Sequence, residues 1–146
     1  MNKNKTYNVL FLCTGNSCRS QMAEGWVRHL AGERIEAQSA GIESHGKNPR
    51  AIEVMREAGV DISAQESVKL TDQMMAQADY IVTVCGHADE NCPVLPAEVR
   101  KKHWPLSDPA QVTGSEDKIM AAFRESRDDI RGRVGELIEC LKSNGR

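Results

Sequence analysis

Cys13-Thr14-Gly15-Asn16-Ser17-Cys18-Arg19-Ser20 gathers a nucleophile, a flexible loop and a fixed positive charge into one short stretch of this 146-residue chain. Cys13 ends the apolar run Val9-Leu10-Phe11-Leu12, and Arg19 and Ser20 open a segment that reads as a helix. The backbone N–H groups of such a loop, with the positive end of the helix dipole, form a cradle for a tetrahedral oxyanion. Arg19 adds a planar fork able to hold two oxygens of that anion. Thr14, Gly15, Asn16, Ser17, Cys18 and Arg19 are therefore the expected binding loop. The same field favours the thiolate of Cys13, which places a nucleophile beneath the anion.

The elements that position this loop read as alternating strands and helices. Strands are predicted over 8–13, 35–40, 79–85 and 102–106, and helices over 20–30, 49–58 and 116–141. Pro49 suits a first helical turn and Gly59 stops that helix. This alternation predicts one α/β domain over residues 1–146, a four-stranded parallel sheet with helices on both faces and the phosphate-type loop after the first strand. In such sheets, ligands sit outside the carboxyl ends of the strands. Cys13 closes the first strand and Cys85 the third, so both are expected at one rim. Cys92 follows across Gly86-His87-Ala88-Asp89-Glu90-Asn91, a polar stretch read as mobile enough to bring Cys92 to Cys85. A disulfide needs Cα atoms within about 4.4–6.8 Å, which that spacing can reach. Three thiols able to form a relay thus converge on one edge.

Composition narrows the alternatives. Nineteen Lys and Arg against 21 Asp and Glu leave a net charge of −2, which gives no global surface for nucleic acid or acidic membrane. The polar opening Met1-Asn2-Lys3-Asn4-Lys5-Thr6 lacks the apolar core of an export signal, and no run approaches the ~18–20 apolar residues of a membrane span. A cytoplasmic location is the expectation. Five cysteines cannot all pair within the chain, which suits catalytic or redox use in a reducing compartment. A zinc module of Cys13, Cys18, Cys85 and Cys92 competes with that reading, but its spacings match zinc pairs loosely. Cys18 reads as a packed small residue, and Cys140, beside the apolar stripe of the last helix, as core.

Cys-x5-Arg-Ser at a strand end, Ser39-Ala40-Gly41 after the second strand and Asp108-Pro109 late in the chain resemble the low-molecular-weight protein tyrosine phosphatases. The longer string from Cys13 to Gly25, with Cys85, Asn91-Cys92-Pro93 and His103-Trp104, is similar more narrowly to the phosphatase-like arsenate reductases of bacteria. The resemblance implies that Cys13 attacks the oxyanion, that Asp108 protonates the departing oxygen, and that the Ser20 hydroxyl stabilises the Cys13 thiolate. Asp108 also suits a plain turn and Ser20 a plain helix cap. Asn16 is expected in the left-handed conformation that asparagine tolerates.

Electron arithmetic separates the two branches. A phosphatase never reduces phosphorus, whereas arsenate becomes arsenite by gaining two electrons, which two thiols supply on forming one disulfide. The resemblance implies a Cys13–Cys85 bond first and a Cys85–Cys92 bond second, reduced by thioredoxin or, alternatively, by glutaredoxin and glutathione. No bound cofactor is implied, and a weak phosphatase side activity is. Some relatives hold potassium through residues matching Asn16, Glu24 and Ser39 plus an acid; here Ser67-Val68-Lys69 stands where that acid would fall, leaving at most a weak site. Ala110 follows the Asp-Pro pair where phosphatases carry tyrosine, and only 4% of residues are aromatic, so a small inorganic anion suits the site better than phosphotyrosine.

Overall fold

The structure, a computed structural model, describes residues 6–144; the polar segment Met1–Lys5, read above for an export signal, lies outside them. Strand β1 (Tyr7–Cys13) is central because its apolar run is covered on both sides, with every residue from Val9 to Cys13 buried. Burial of side chains such as Leu10, Phe11 and Leu12 contributes about 1.5–3 kcal/mol each. Strand β2 (Ile35–Gly41) pairs with β1 along one edge, and β3 (Tyr80–Thr83) pairs with the other. Strand β4 (Arg100–His103) completes a parallel sheet in the order β2-β1-β3-β4.

The chain leaves β1 toward β2 but leaves β3 toward β4, so the crevice opens between the carboxyl ends of β1 and β3. Helix α1 (Arg19–Ala31) makes the first crossover and packs against α5 (Glu116–Asn144) and α2 (Pro49–Glu57). Trp26 ties α1 to α5 by donating its indole N–H to the Arg127 carbonyl at 3.1 Å. Helices α3 (Asp72–Gln77) and α4 (Gly86–Glu90) contact β1 away from that cluster. Right-handed crossovers in a sheet that reverses direction require helices on both faces.

The structure corrects four details of the sequence reading. The third strand ends at Thr83, and Cys85 lies beyond it as the N-cap of α4. The stretch after Cys85, expected to be mobile, is helical because Ala88 is fully buried and Asp89 is anchored. The fourth strand runs over Arg100–His103, two residues earlier than expected, because its register sets Tyr80 against Arg100. Trp104 and Leu106 instead leave the strand to enter the core, where Trp104 meets Phe11 at a ring separation of 5.6 Å. Cys140 is exposed, since the apolar stripe of α5 passes through Val134, Leu137, Ile138 and Leu141 and leaves position 140 outside it.

Candidate active site

The loop after Cys13 is shaped by the segment that follows β2. Ile42, Glu43, His45 and Asn48 donate their backbone N–H groups to the carbonyls of Cys13, Thr14, Gly15 and Ser17 at 2.8–3.0 Å. Trans peptide units point N–H and C=O in opposite directions, so the N–H groups of Thr14, Gly15, Asn16 and Cys18 turn inward. Gly41 makes this approach possible: a Cβ there would lie 2.1 Å from the Glu43 carbonyl oxygen and 2.8 Å from the Asn16 nitrogen. Asn16 takes φ 52°, the left-handed conformation expected of it.

Cys13 is buried at the floor of this ring. Its sulfur accepts the Asn16 backbone N–H at 3.2 Å and lies 2.9 Å from the Ser20 hydroxyl. The Asn16 side-chain amide donates to that hydroxyl at 2.9 Å, which leaves the Ser20 proton free to point at sulfur. Two donors are thus aimed at one sulfur. Ser20 is not the helix cap; that position falls to Cys18. Burial pushes the Cys18 thiol up to about 11, so this second sulfur of the loop stays protonated.

A second layer fixes Asn16. Its side-chain oxygen accepts from the Val68 N–H at 2.8 Å and from the Gln21 amide at 3.2 Å, and Gln65 donates to the Gln21 oxygen at 2.8 Å. Beside it, Ser39 donates to one oxygen of buried Glu24 at 2.6 Å, while Arg28 pairs with the other at 2.5 Å. The Asn16, Glu24 and Ser39 oxygens that would ligate potassium thus already have partners within the chain, and Val68, which donates its N–H to Asn16, adds no side-chain oxygen to the set.

Arg19 and Asp108 close the other side. Arg19 donates to the carbonyls of Leu106 at 3.0 Å and Val84 at 3.4 Å, and its remaining terminal nitrogen lies 3.5 Å from Asp108 Oδ2. The other Asp108 oxygen accepts the Ala110 N–H at 2.9 Å, capping a short 3-10 turn over Pro109–Gln111. Asp108 therefore combines the turn role with a place at the pocket. Together the loop, Arg19 and Asp108 line a cavity of about 320 Å³. His45 and Gln111 line it as well, and no sequence signal had singled them out. His45 packs over Gly15, where a Cβ would come within 2.3 Å of its ring, and pairs with Glu43 at 2.8 Å.

Cys85 lies at the same rim. Its buried sulfur is 3.3 Å from the Thr14 hydroxyl, next in sequence to Cys13, and accepts the Ala88 N–H at 3.4 Å. Cys92 lies beyond the end of α4, partly buried, with its thiol pushed up by that burial. Cys140 is remote from the site along α5.

A buried thiol beneath a ring of inward amides, with an arginine at its edge, defines an oxyanion-binding site armed with a nucleophile. It stands on a sheet whose switch point faces the same crevice. The chain belongs to the low molecular weight phosphotyrosine protein phosphatase family, whose model matches residues 8–146. It is 47% identical to the arsenate reductase of Bacillus subtilis over 92% of this chain and 96% of the relative. Among solved structures, it resembles an arsenate reductase in the phosphate binding state with a TM-score of 0.77 and 34% identity, covering 93% of this chain and 99% of the other. It also resembles a thioredoxin-dependent arsenate reductase of Corynebacterium glutamicum (TM-score 0.78, 29% identity), covering 98% of this chain and 65% of that one.

Proposed function

We propose that this protein, acting as one domain in the cytoplasm, reduces arsenate to arsenite through Cys13, Cys85 and Cys92. The observation that carries the reading is Cys85 Sγ, held 3.3 Å from the hydroxyl of Thr14, which lines the Cys13 pocket. The similarity to arsenate reductases over nearly the whole chain supports it.

In this mechanism the loop amides and Arg19 hold the oxyanion, and the Cys13 thiolate attacks arsenic(V). Asp108 supplies the proton with which one oxygen departs as water. The Cys85 thiolate then attacks the Cys13 sulfur. A Cys13–Cys85 bond forms, the sulfur–arsenic bond breaks, and its electron pair leaves with arsenic as arsenic(III). Ser20 stabilises the Cys13 thiolate at the start and again when that thiolate is regenerated. Cys92 next attacks Cys85, releasing Cys13 and leaving Cys85–Cys92 for an external dithiol. Thioredoxin is the proposed donor, in line with the resemblance to a thioredoxin-dependent enzyme. No step passes through a metal ion.

Purified protein mixed with arsenate, thioredoxin, thioredoxin reductase and NADPH should consume NADPH. No consumption by protein with intact thiols would overturn the reading, and consumption only with glutaredoxin and glutathione would replace the donor. The anion ring also suits slow hydrolysis of a small phosphomonoester, because Asp108 and the Cys13 pocket serve that reaction equally.

A further inference from the structure

Helix α4 stands between the two thiols that the last step must join. Cys85 caps its start and Cys92 follows its end. At about 1.5 Å of rise per helical residue, Cα atoms seven positions apart lie roughly 10 Å from each other. A disulfide accepts about 4.4–6.8 Å, so α4 must open before Cys85 and Cys92 can bond.

A helix of five residues has little stability of its own. Its side-chain anchors therefore decide how readily it opens, and Asp89 holds the most of them. Asp89 Oδ1 accepts from the Thr83 hydroxyl at 3.0 Å, pairs with Lys101 Nζ at 2.9 Å and lies 3.9 Å from His103 Nδ1. Lys101 also donates to the Asp89 backbone carbonyl at 3.3 Å, in the last turn of α4. The His103 ring lies 2.9 Å from the same Thr83 hydroxyl, so these groups form one network. Thr83 is fully buried in β3, while Lys101 and His103 belong to β4; the network thus fastens a surface helix to two strands. The hydrogen bonds from Lys101 and Thr83 hold the Asp89 carboxyl below its ordinary range.

We propose that Asp89 is a positioning residue of the thiol relay, whose contacts with Thr83, Lys101 and His103 latch α4 and set the threshold for bringing Cys92 to Cys85. The inference rests on the relay proposed above. While the latch holds, Cys85 faces Thr14 and the Cys13 pocket, ready for the first bond. When it opens, the Cys92 thiolate attacks the Cys85 sulfur of the Cys13–Cys85 bond. Cys85–Cys92 forms, Cys13 leaves as a thiolate, and the exchange uses no net electrons. The proton of Cys92 passes to solvent. A tight latch keeps Cys85 in place for the first pairing, and a loose one lets Cys85 drift from Thr14 before it has attacked the Cys13 sulfur.

The test uses the full chain carrying Cys13→Ser, equilibrated with mixtures of reduced and oxidised dithiothreitol. There the Cys85 and Cys92 thiols are oxidised to a disulfide as dithiothreitol disulfide is reduced, with no arsenate involved. Mass mapping quantifies the Cys85–Cys92 bond. Asp89→Asn and Lys101→Met should each raise its equilibrium constant roughly three- to tenfold, the effect of losing a partly exposed charge pair within a network. The double variant should raise the constant by less than the product of the two single effects, since both remove one interaction. Lys102→Met, exposed on the same strand, should match the parent. Amides 86–91 of the reduced chain should exchange faster in Asp89→Asn. Equal constants in all variants, with the bond present, would overturn the latch and leave the relay standing. Absence of the bond from every variant would overturn the relay and the latch with it.

Discussion

The loop from Cys13 to Arg19 and the segment from Cys85 to Cys92 carry the same reactive atom but are built in opposite ways. In the first, four carbonyls are tied to the segment after β2, Asn16 is gripped from three sides, and the sulfur has two donors. In the second, a five-residue helix rests on one buried alanine and a half-exposed ion network. Rigidity suits the task of recognising an anion, because a preorganised ring of dipoles need not rearrange as charge develops. A chain of thiol exchanges needs one sulfur to meet two partners in turn, which a rigid element cannot provide. The molecule divides its chemistry along that line.

The largest expected effect separates the two halves outright. Cys85→Ser should lower arsenate turnover by on the order of 10³-fold or more, since the thiol proposed to release arsenic is gone. Hydrolysis of a small phosphomonoester by the same variant should stay within about threefold of the parent, because the anion ring is untouched. Parallel loss of both activities would show that the halves are not separable. Next in size is Gly41→Ala, which attacks the rigid half through backbone. Its methyl would overlap the Glu43 carbonyl and crowd the Asn16 nitrogen, neither of which is a flexible side-chain end. A cost of about 1–3 kcal/mol or more is expected, read as a fall in melting temperature of several degrees together with weaker phosphate protection of Cys13 against alkylation. An unchanged melting curve would mean that the segment after β2 is not what holds the loop.

The loop after Cys13 was far more legible in the sequence than the segment after Cys85. A cysteine at the end of an apolar run, a glycine- and asparagine-bearing loop and a helix-opening arginine signal their geometry locally, and Asn16, Ser20 and Arg19 stand where that pattern puts them. Ser39-Ala40-Gly41 was visible as a motif, but its reason, a backbone approach that only glycine permits, is a contact between distant segments. The α4 segment misled because its residues are polar and its helix depends on Thr83, Lys101 and His103, which lie on other elements. Local propensity cannot display an anchor supplied from elsewhere. Cys140 was misread by one position on a long apolar stripe, and His45 carried no spacing signal at all.

A smaller effect concerns pH. Burial pushes the Cys92 thiol up, and only its thiolate attacks. Single-turnover transfer from Cys13–Cys85 to Cys85–Cys92 should therefore accelerate as pH rises through the neutral range, by up to about tenfold per unit while the thiolate is the minor form. A rate that does not change with pH would mean that Cys92 is not the attacking group in the slow step.

The smallest expected effect completes the comparison by removing a bystander. Cys140 is exposed on α5, so it should alkylate readily in the native protein without consequence for the pocket. Cys140→Ser should shift stability by less than about 0.5 kcal/mol, as surface exchanges do, and leave arsenate turnover unchanged. In that background, loss of phosphomonoester hydrolysis on titration with iodoacetamide should follow modification of Cys13 alone. Cys18, buried and held at about 11, should remain unmodified while the protein is folded. Mass mapping at half-inactivation checks this directly. Label on Cys18 in proportion to lost activity would place a second reactive sulfur inside the ring, and the contrast between an anion site with one reactive sulfur and a thiol pair on a short, lightly anchored helix would have to be redrawn.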